Sequence, residues 1–243
     1  NPRQTEIRHL LSYDDGFVLA HVRISLVEGA LKADEEELLR EQLTGEEIKR
    51  YRSLKHPKRR LEWLAGRIVA KGAIRIYLGS NAPLPSAIEV ESSPDNAPHI
   101  VIKGEEADSA LPHISISHSS DMAVAVAAQS LGVGIDVEEI TESILEIADE
   151  FSTNEEVERV SKCTGPDRLI VLVSIWAVKE AARKAVGPQT CSMKELVLRE
   201  ARKEGDYVVC EISHPTEGRL RSVTFQNNKY VYAISLPLRT TID

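Results

Sequence analysis

Trp63-Leu-Ala-Gly-Arg-Ile-Val-Ala-Lys71 and Trp176-Ala-Val-Lys-Glu-Ala-Ala-Arg-Lys184 lie 113 residues apart, each opening on tryptophan and closing on lysine. Each falls in an apolar run of helical period, Lys58 to Leu78 in one case and Leu169 to Val186 in the other. The same offset lays Val22-Arg23 over Ile135-Asp136, and each half ends in an apolar strand, Met122–Ala128 and Tyr230–Leu236. Repetition on this scale predicts an α+β fold built as a pseudo-dimer of two similar α+β halves, residues 1–128 and 129–243. The active site is expected at their interface. In this register Arg67 and Glu180 are equivalent, so one half offers positive charge and the other acid.

Working outward, Phe17 to Val27 is β-branched and apolar and reads as a strand. Ala33 to Arg52 is charged with leucines at helical spacing and reads as a helix. Gly79 to Pro112 is rich in Pro, Ser, Asp and Asn, with short strands at Ala87–Glu91 and His99–Ile102. Strands follow at His113–Ser117, ahead of a turn, and at Leu131–Glu138. Ile144–Glu150 and Asn154–Lys162 read as helices, and Gly187-Pro188 stops the second long helix. Tyr207–Ser213 and Leu220–Gln226 read as strands. Strands and helices mix without strict alternation, which favours α+β over a doubly wound sheet.

Of 243 residues, 42% are apolar and 28% charged, a globular balance that excludes wholesale disorder and a coiled rod. Three cysteines, with no C-x-x-C pair, argue against a disulfide scaffold or cysteine-rich zinc site and for a reducing compartment. The longest apolar stretch, Leu169 to Val178, is too short to span a bilayer, and NPRQTEIRHL lacks a signal peptide's apolar core. A cytoplasmic protein with no membrane partner is expected. The net charge of −8 hides an asymmetry: Lys49 to Arg75 holds ten Lys/Arg and one acid, about +9. Such a block is either a solvated helix face or a surface for phosphates or an acidic partner. It lacks interleaved aromatics, so no nucleic-acid partner is expected.

Three constellations could carry chemistry. In Gly134-Ile-Asp-Val-Glu138, strand alternation puts Asp136 and Glu138 on one face, about 7 Å apart. A hard cation such as magnesium would relieve their repulsion; a solvent-facing acidic edge is the plainer explanation. In Trp176–Lys184, Glu180 and Lys184 are i,i+4, either a routine helix pair or a base with a charge stabiliser. In His113-Ile-Ser-Ile-Ser-His-Ser-Ser120, Ser117, His118 and Ser119 could offer donors to a phosphate, unless His118 is merely structural. A Ser-His-Asp hydrolase is set aside, since there is no G-x-S-x-G elbow. His99, His113 and His118 lack zinc-ligand spacing.

In this order, Ser117-His118-Ser119, Gly134–Glu138 and Trp176–Lys184 resemble the Sfp-type 4′-phosphopantetheinyl transferase family, and Arg60-Leu-Glu-Trp-Leu-Ala-Gly-Arg67 fits its first-half helix. The resemblance implies transfer of the phosphopantetheine arm of coenzyme A to a serine of an acyl, peptidyl or related carrier protein, releasing adenosine 3′,5′-bisphosphate. By motif match, Asp136, Glu138 and Glu180 hold Mg2+, and Asp136, Glu180 and Lys184 are catalytic. Glu180, or a water it orients, takes the serine proton, and Lys184 stabilises or protonates the leaving phosphate. Lys58, Arg60, Arg67, Ser117, His118 and Lys184 bind the coenzyme A co-substrate. With both halves in one chain, a monomer is expected.

One departure stands out. Many members of the family carry Gly-Lys-Pro ahead of the serine-histidine segment, where this chain has Asn96-Ala97-Pro98. The lysine is absent, so either Lys103 or another cation compensates or the cofactor binds more weakly. Two other readings share the motifs: an inactive coenzyme A- or nucleotide-binding module, and a magnesium-dependent phosphodiesterase acting on nucleic acid.

Overall fold

The computed structural model describes residues 16–93, 97–102, 111–129, 132–187 and 191–238. They fall into two compact units, one ending at Leu131 and one beginning at Gly132.

The N-terminal unit runs β1 (Phe17–Arg23), α1 (Ile24–Ala33), α2 (Glu35–Gln42), α3 (Gly45–Ser53), α4 (Pro57–Leu78), β2 (Ile88–Ser92), β3 (Pro98–Ile102), β4 (His113–Ser119) and β5 (Met122–Ala128). Strands β1, β5 and β4 form an antiparallel sheet in that order, and β2 and β3 form a ribbon. Pro57 starts α4 at a position whose N–H has no helical partner, and Gly79 ends it at φ 76°. The buried face of α4, including Leu64, Val69 and Ile74, shares one core with Ala123, Ala125 and Ala127 of β5. Three alanines on one strand face let the helix lie close to the sheet.

The C-terminal unit runs β6 (Gly134–Glu139), α5 (Ala148–Phe151), α6 (Asn154–Thr164), α7 (Arg168–Val186), β7 (Val197–Glu204), β8 (Tyr207–His214), β9 (Gly218–Asn227) and β10 (Tyr230–Pro237). Its sheet has the order β6-β10-β9-β8-β7, and α7 shares a core with Val231 and Ala233 of β10.

Each unit pairs its first strand antiparallel with its last and lays its long helix on that sheet. The detailed match is a buried lysine node. In the N-terminal unit Lys71 of α4 donates to Gln42 O at 2.7 Å and pairs with Glu47, which also accepts from Thr44 N and from Val90 N. In the C-terminal unit Lys179 of α7 donates to Phe151 O at 2.7 Å and pairs with Glu156, which also accepts from Thr153 N and from Leu198 N. Each glutamate closes a capping box on its own helix. Both lysines are 1% exposed or less, and burial pushes both ammonium groups down in pKa while the glutamate pulls them up. Stripping one partner from such a pair costs about 3–5 kcal/mol, because the other is left buried and uncompensated.

The node corrects the register expected from the tryptophans. Thr44 corresponds to Thr153 at an offset of 109, and Lys71 to Lys179 at 108. Arg67 therefore corresponds to Ile175, not Glu180, and Glu180 corresponds to Gly72. The tryptophans misled because each is one apolar position among many on a helix, whereas the buried charge has a single solution. The first strands move as well. Ile24 N bonds Asp121 O and Ile140 N bonds Lys229 O, so Val22 corresponds to Glu138 rather than Ile135.

Other expectations need correction. The strand begun at Phe17 ends at Arg23, and Ile24–Ala33 is helical. The helix expected over Ala33–Arg52 is two helices, parted at Leu43-Thr44 where Thr44 caps the second. Ile144–Glu150 is a 3-10 turn, Glu142–Leu145, followed by the short α5. Strand β7 has no counterpart in the sequence reading: it is a charged edge strand bonded only to β8, and its residues show no clean alternation.

No helix among the described residues is long and apolar enough to cross a membrane. Cys163, Cys191 and Cys210 form no disulfide. Cys163 and Cys210 are buried, and burial pushes the Cys210 thiol up to about 12 and raises that of Cys163. Iodoacetamide at pH 8 is therefore expected to label Cys191 first, with the other two reacting only after unfolding. Mass spectrometry of peptides from native and denatured samples checks this; prompt native labelling of Cys210 would contradict the burial.

Candidate functional site

The site begins with a glycine. A Cβ built on Gly134 would stand 1.9 Å from Ala181 O and 2.7 Å from Ala185 N. Only a residue without a side chain lets β6 lie backbone-to-backbone on α7. Two residues further along, Asp136 is 2% exposed, and its Oδ1 accepts from Lys184 Nζ at 2.7 Å. The same ammonium donates to Ile135 O at 3.1 Å. At the other end of β6, Glu138 Oε1 accepts from Trp176 Nε1 at 3.2 Å. The Trp176 ring meets Phe151 edge to face, 5.1 Å between centroids.

These two contacts define a facet. Trp176, Glu180 and Lys184 follow one another at i,i+4 along a single stripe of α7. Glu138 touches the first of them and Asp136 the last, so Glu180 lies on the stripe between those two anchor points. Glu180 is buried, and both its oxygens accept from Arg183 Nη2 at 2.9 Å. The structure thus gathers Asp136, Glu138, Glu180 and Lys184 on adjacent elements. Three carboxylates against Lys184 and Arg183 leave one net negative charge.

Among the described residues no three His, Cys, Asp or Glu side chains are gathered as a metal cluster. Each facet carboxylate is turned to a donor of its own chain. As a donor set they still fit magnesium: all oxygen, all anionic, on one strand–helix facet, with an excess of negative charge.

The basic residues of the N-terminal unit are placed differently from one another. Lys58 is exposed, 3.8 Å from Glu62. Arg60 Nε donates to Leu54 O at 3.2 Å, and its guanidinium lies over the Tyr51 ring. Arg67 is buried, with its guanidinium 4.7 Å above Trp63 and its Nε 3.9 Å from Glu47 Oε1. It lines a pocket of about 560 Å³ in which Arg50, Arg59 and Arg67 face the carboxylates of Glu46, Glu47, Glu89 and Glu91. Ile175 and Val197 stand at the places corresponding to Arg67 and Glu89 in the other unit, so this unit is charged where the other is apolar.

Ser117 and His118 lie on β4, not in a turn. The strand runs to Ser119, and the turn is Ser120-Asp121, with Ser120 at φ 52°. Strand alternation buries Ser117 and exposes His118, so the two point to opposite faces. Asn96 and Lys103 lie outside the described residues.

Residues 132–235 match the model of the 4′-phosphopantetheinyl transferase superfamily. The match spans less than half of the chain and lies wholly within the C-terminal unit. Among solved structures, the chain is similar to a holo-(acyl-carrier-protein) synthase from Bacillus anthracis str. Ames in complex with CoA (3′,5′-ADP). That match has 27% identity, 46% of this chain, 93% of the other and a TM-score of 0.40. It is also similar to the Helicobacter pylori synthase in complex with coenzyme A, with 24% identity, 46% and 97% covered and a TM-score of 0.40. The Neisseria meningitidis synthase matches with 20% identity, 47% and 98% covered and a TM-score of 0.42. No curated protein matches the chain significantly.

The stretch matched to the phosphopantetheinyl transferase superfamily contains the whole β6–α7 facet. Lys58, Arg60, Arg67, Ser117 and His118 lie outside it. Sequence reasoning assigned no role to Arg183, which holds Glu180, or to the Glu156–Lys179 node. The node has a plain signal in Thr44-Gly-Glu-Glu47 and Thr153-Asn-Glu-Glu156, the same capping box written twice. Gly134 carries no signal beyond being a glycine inside a strand.

Proposed function

We propose that this protein transfers the 4′-phosphopantetheine arm of coenzyme A to a serine of an acyl, peptidyl or related carrier protein, as an Sfp-type enzyme. The observation that carries the reading is the facet, three carboxylates and a lysine on β6 and α7, lying within the stretch matched to the superfamily.

The serine hydroxyl attacks the phosphorus next to the pantetheine. A new P–O bond forms to serine, the bond to the pyrophosphate bridging oxygen breaks, and adenosine 3′,5′-bisphosphate leaves. Glu180, directly or through a water it orients, receives the serine proton. Lys184 stabilises the leaving phosphate or returns a proton to it, and its bond to Asp136 holds the ammonium in place. Asp136, Glu138 and Glu180 would hold magnesium, which supplies charge neutralisation at the pyrophosphate. Lys58, Arg60, Arg67, Ser117 and His118 are assigned to coenzyme A. The excess of Lys and Arg over Lys49–Arg75 supports this, although Lys71 is buried against Glu47 and Lys49, Arg52 and Lys58 are paired with glutamates, which reduces the charge open to a polyanion. The proposed setting is the cytoplasm, and the working unit a single chain.

The test is intact-mass spectrometry of apo carrier proteins incubated with the protein, coenzyme A and magnesium. A carrier should gain the mass of one phosphopantetheine arm. If carriers from several pathways gain nothing while coenzyme A still binds, the inactive binding module replaces this reading. Steeply salt-dependent polynucleotide binding with phosphodiester cleavage would replace it with the nuclease reading.

A further inference from the structure

We propose that Lys179 is a positioning residue for the reaction: it sets the rotation of α7 about its own axis and so aims Glu180 and Lys184. The inference rests on the transfer reading above. Lys179 is fastened at three points, to Phe151 O at 2.7 Å and to both oxygens of Glu156 at 2.8 and 3.0 Å. Glu156 is in turn fixed by Leu198 N at 2.8 Å and Thr153 N at 3.0 Å. The lysine head is thus tied to the end of α5, the start of α6 and the start of β7.

Glu180 is the next residue, about 100° further round the helix. A helix held at Lys179 cannot turn without breaking this node, so the direction of Glu180 follows from it. The required accuracy is high. A carboxylate about 6 Å from the helix axis moves roughly 1 Å when the helix turns by about 10°. A misplacement of that size costs on the order of 100-fold in rate. Phe151 links the same node to the other end of the facet, since its carbonyl holds Lys179 and its ring packs on Trp176, the donor to Glu138.

The N-terminal unit contains its own control. Lys71 is buried in an equivalent node, but the residues corresponding to Glu180 and Lys184 are Gly72 and Ile76. Lys71 therefore holds a helix that presents neither group; that helix carries Arg60 and Arg67, assigned above to coenzyme A, so loosening it should act on the KM for coenzyme A and not on kcat.

The experiment compares Lys179→Met with Lys71→Met, both assayed with saturating coenzyme A and carrier at a temperature where each is folded. The expected result is a similar fall in Tm for both. Lys179→Met should also lose at least tenfold in kcat with KM values changed less than threefold, while Lys71→Met keeps kcat within twofold. Equal kcat for the two variants overturns the inference, whether both are impaired or neither is. Should Lys179→Met fail to fold, Glu156→Gln keeps the volume and the acceptor for Leu198 N while removing the charge. It must then show the same kcat-selective loss, and an unchanged kcat overturns the inference. A wild-type protein that transfers nothing would reject the transfer reading itself, an outcome separate from these.

Discussion

Glu180→Gln is expected to leave the protein folded and coenzyme A bound while kcat falls by roughly 10²–10⁴-fold, the usual worth of a positioned proton acceptor. Glutamine has the shape of glutamate and keeps one oxygen to accept from Arg183, which now reaches both carboxylate oxygens at 2.9 Å. The substitution therefore removes a charge and a basic site without opening a cavity. Arg183 is one-third exposed, so water can compensate what its guanidinium loses. The loss should appear in kcat, because the proton moves only in the transition state. Single-turnover transfer to an apo carrier, followed by intact mass, measures it. A variant within threefold of wild type would remove Glu180 from the chemistry and leave Asp136 and Lys184 to account for it.

Gly134→Ala is expected to be the most damaging single methyl group in the C-terminal unit. Its Cβ would sit 1.9 Å from Ala181 O, a backbone atom that no rotamer change can move aside. Overpacking typically costs 1–3 kcal/mol, and a clash with the main chain of α7 at both Ala181 and Ala185 belongs at about 3 kcal/mol. In a chain of this size that lowers Tm by roughly 6–12 °C. Relief requires β6 to lift from α7, which carries Asp136 away from Lys184. Transfer should therefore fall even at temperatures where the variant is folded. Thermal unfolding and the transfer assay on the same sample test both consequences; a Tm within 2 °C of wild type would contradict the close packing.

The sequence showed the class of fold and the facet more clearly than it showed the joints. Long helices announce themselves by leucines at helical spacing, and Pro57 and Gly187 mark real boundaries. Helix α1 was hidden because Phe17 to Val27 is largely apolar with its polar residues, His21, Arg23 and Ser25, at alternate positions, a pattern that continues the strand across Ile24. What divides it is Asp121, whose carboxylate accepts from Ser25 N at 2.7 Å and Ser25 Oγ at 3.0 Å, 96 residues away in sequence. A cap supplied from so far along the chain leaves no local trace. The facet was readable because Asp136, Glu138, Glu180 and Lys184 obey the two simple periods of strand and helix. Their partners were not, since Trp176 and Arg183 look like ordinary helix residues until β6 is laid against α7.

The duplicated lysine node predicts how the chain tolerates change. Saturation mutagenesis should produce near-identical losses of stability at Lys71 and Lys179, then opposite behaviour one residue later. A methyl group added at Gly72 would meet nothing within 4 Å, and alanine there should stabilise α4 by up to about 1 kcal/mol. At Glu180 every substitution should cost activity. Nor would writing Glu and Lys into positions 72 and 76 create a second centre, because the strand facing them offers Ala20 and Val22 where β6 has Asp136 and Glu138. Away from the residues assigned to coenzyme A, the N-terminal scaffold is thus expected to drift wherever stability permits, while the proposed chemistry holds the β6–α7 facet still.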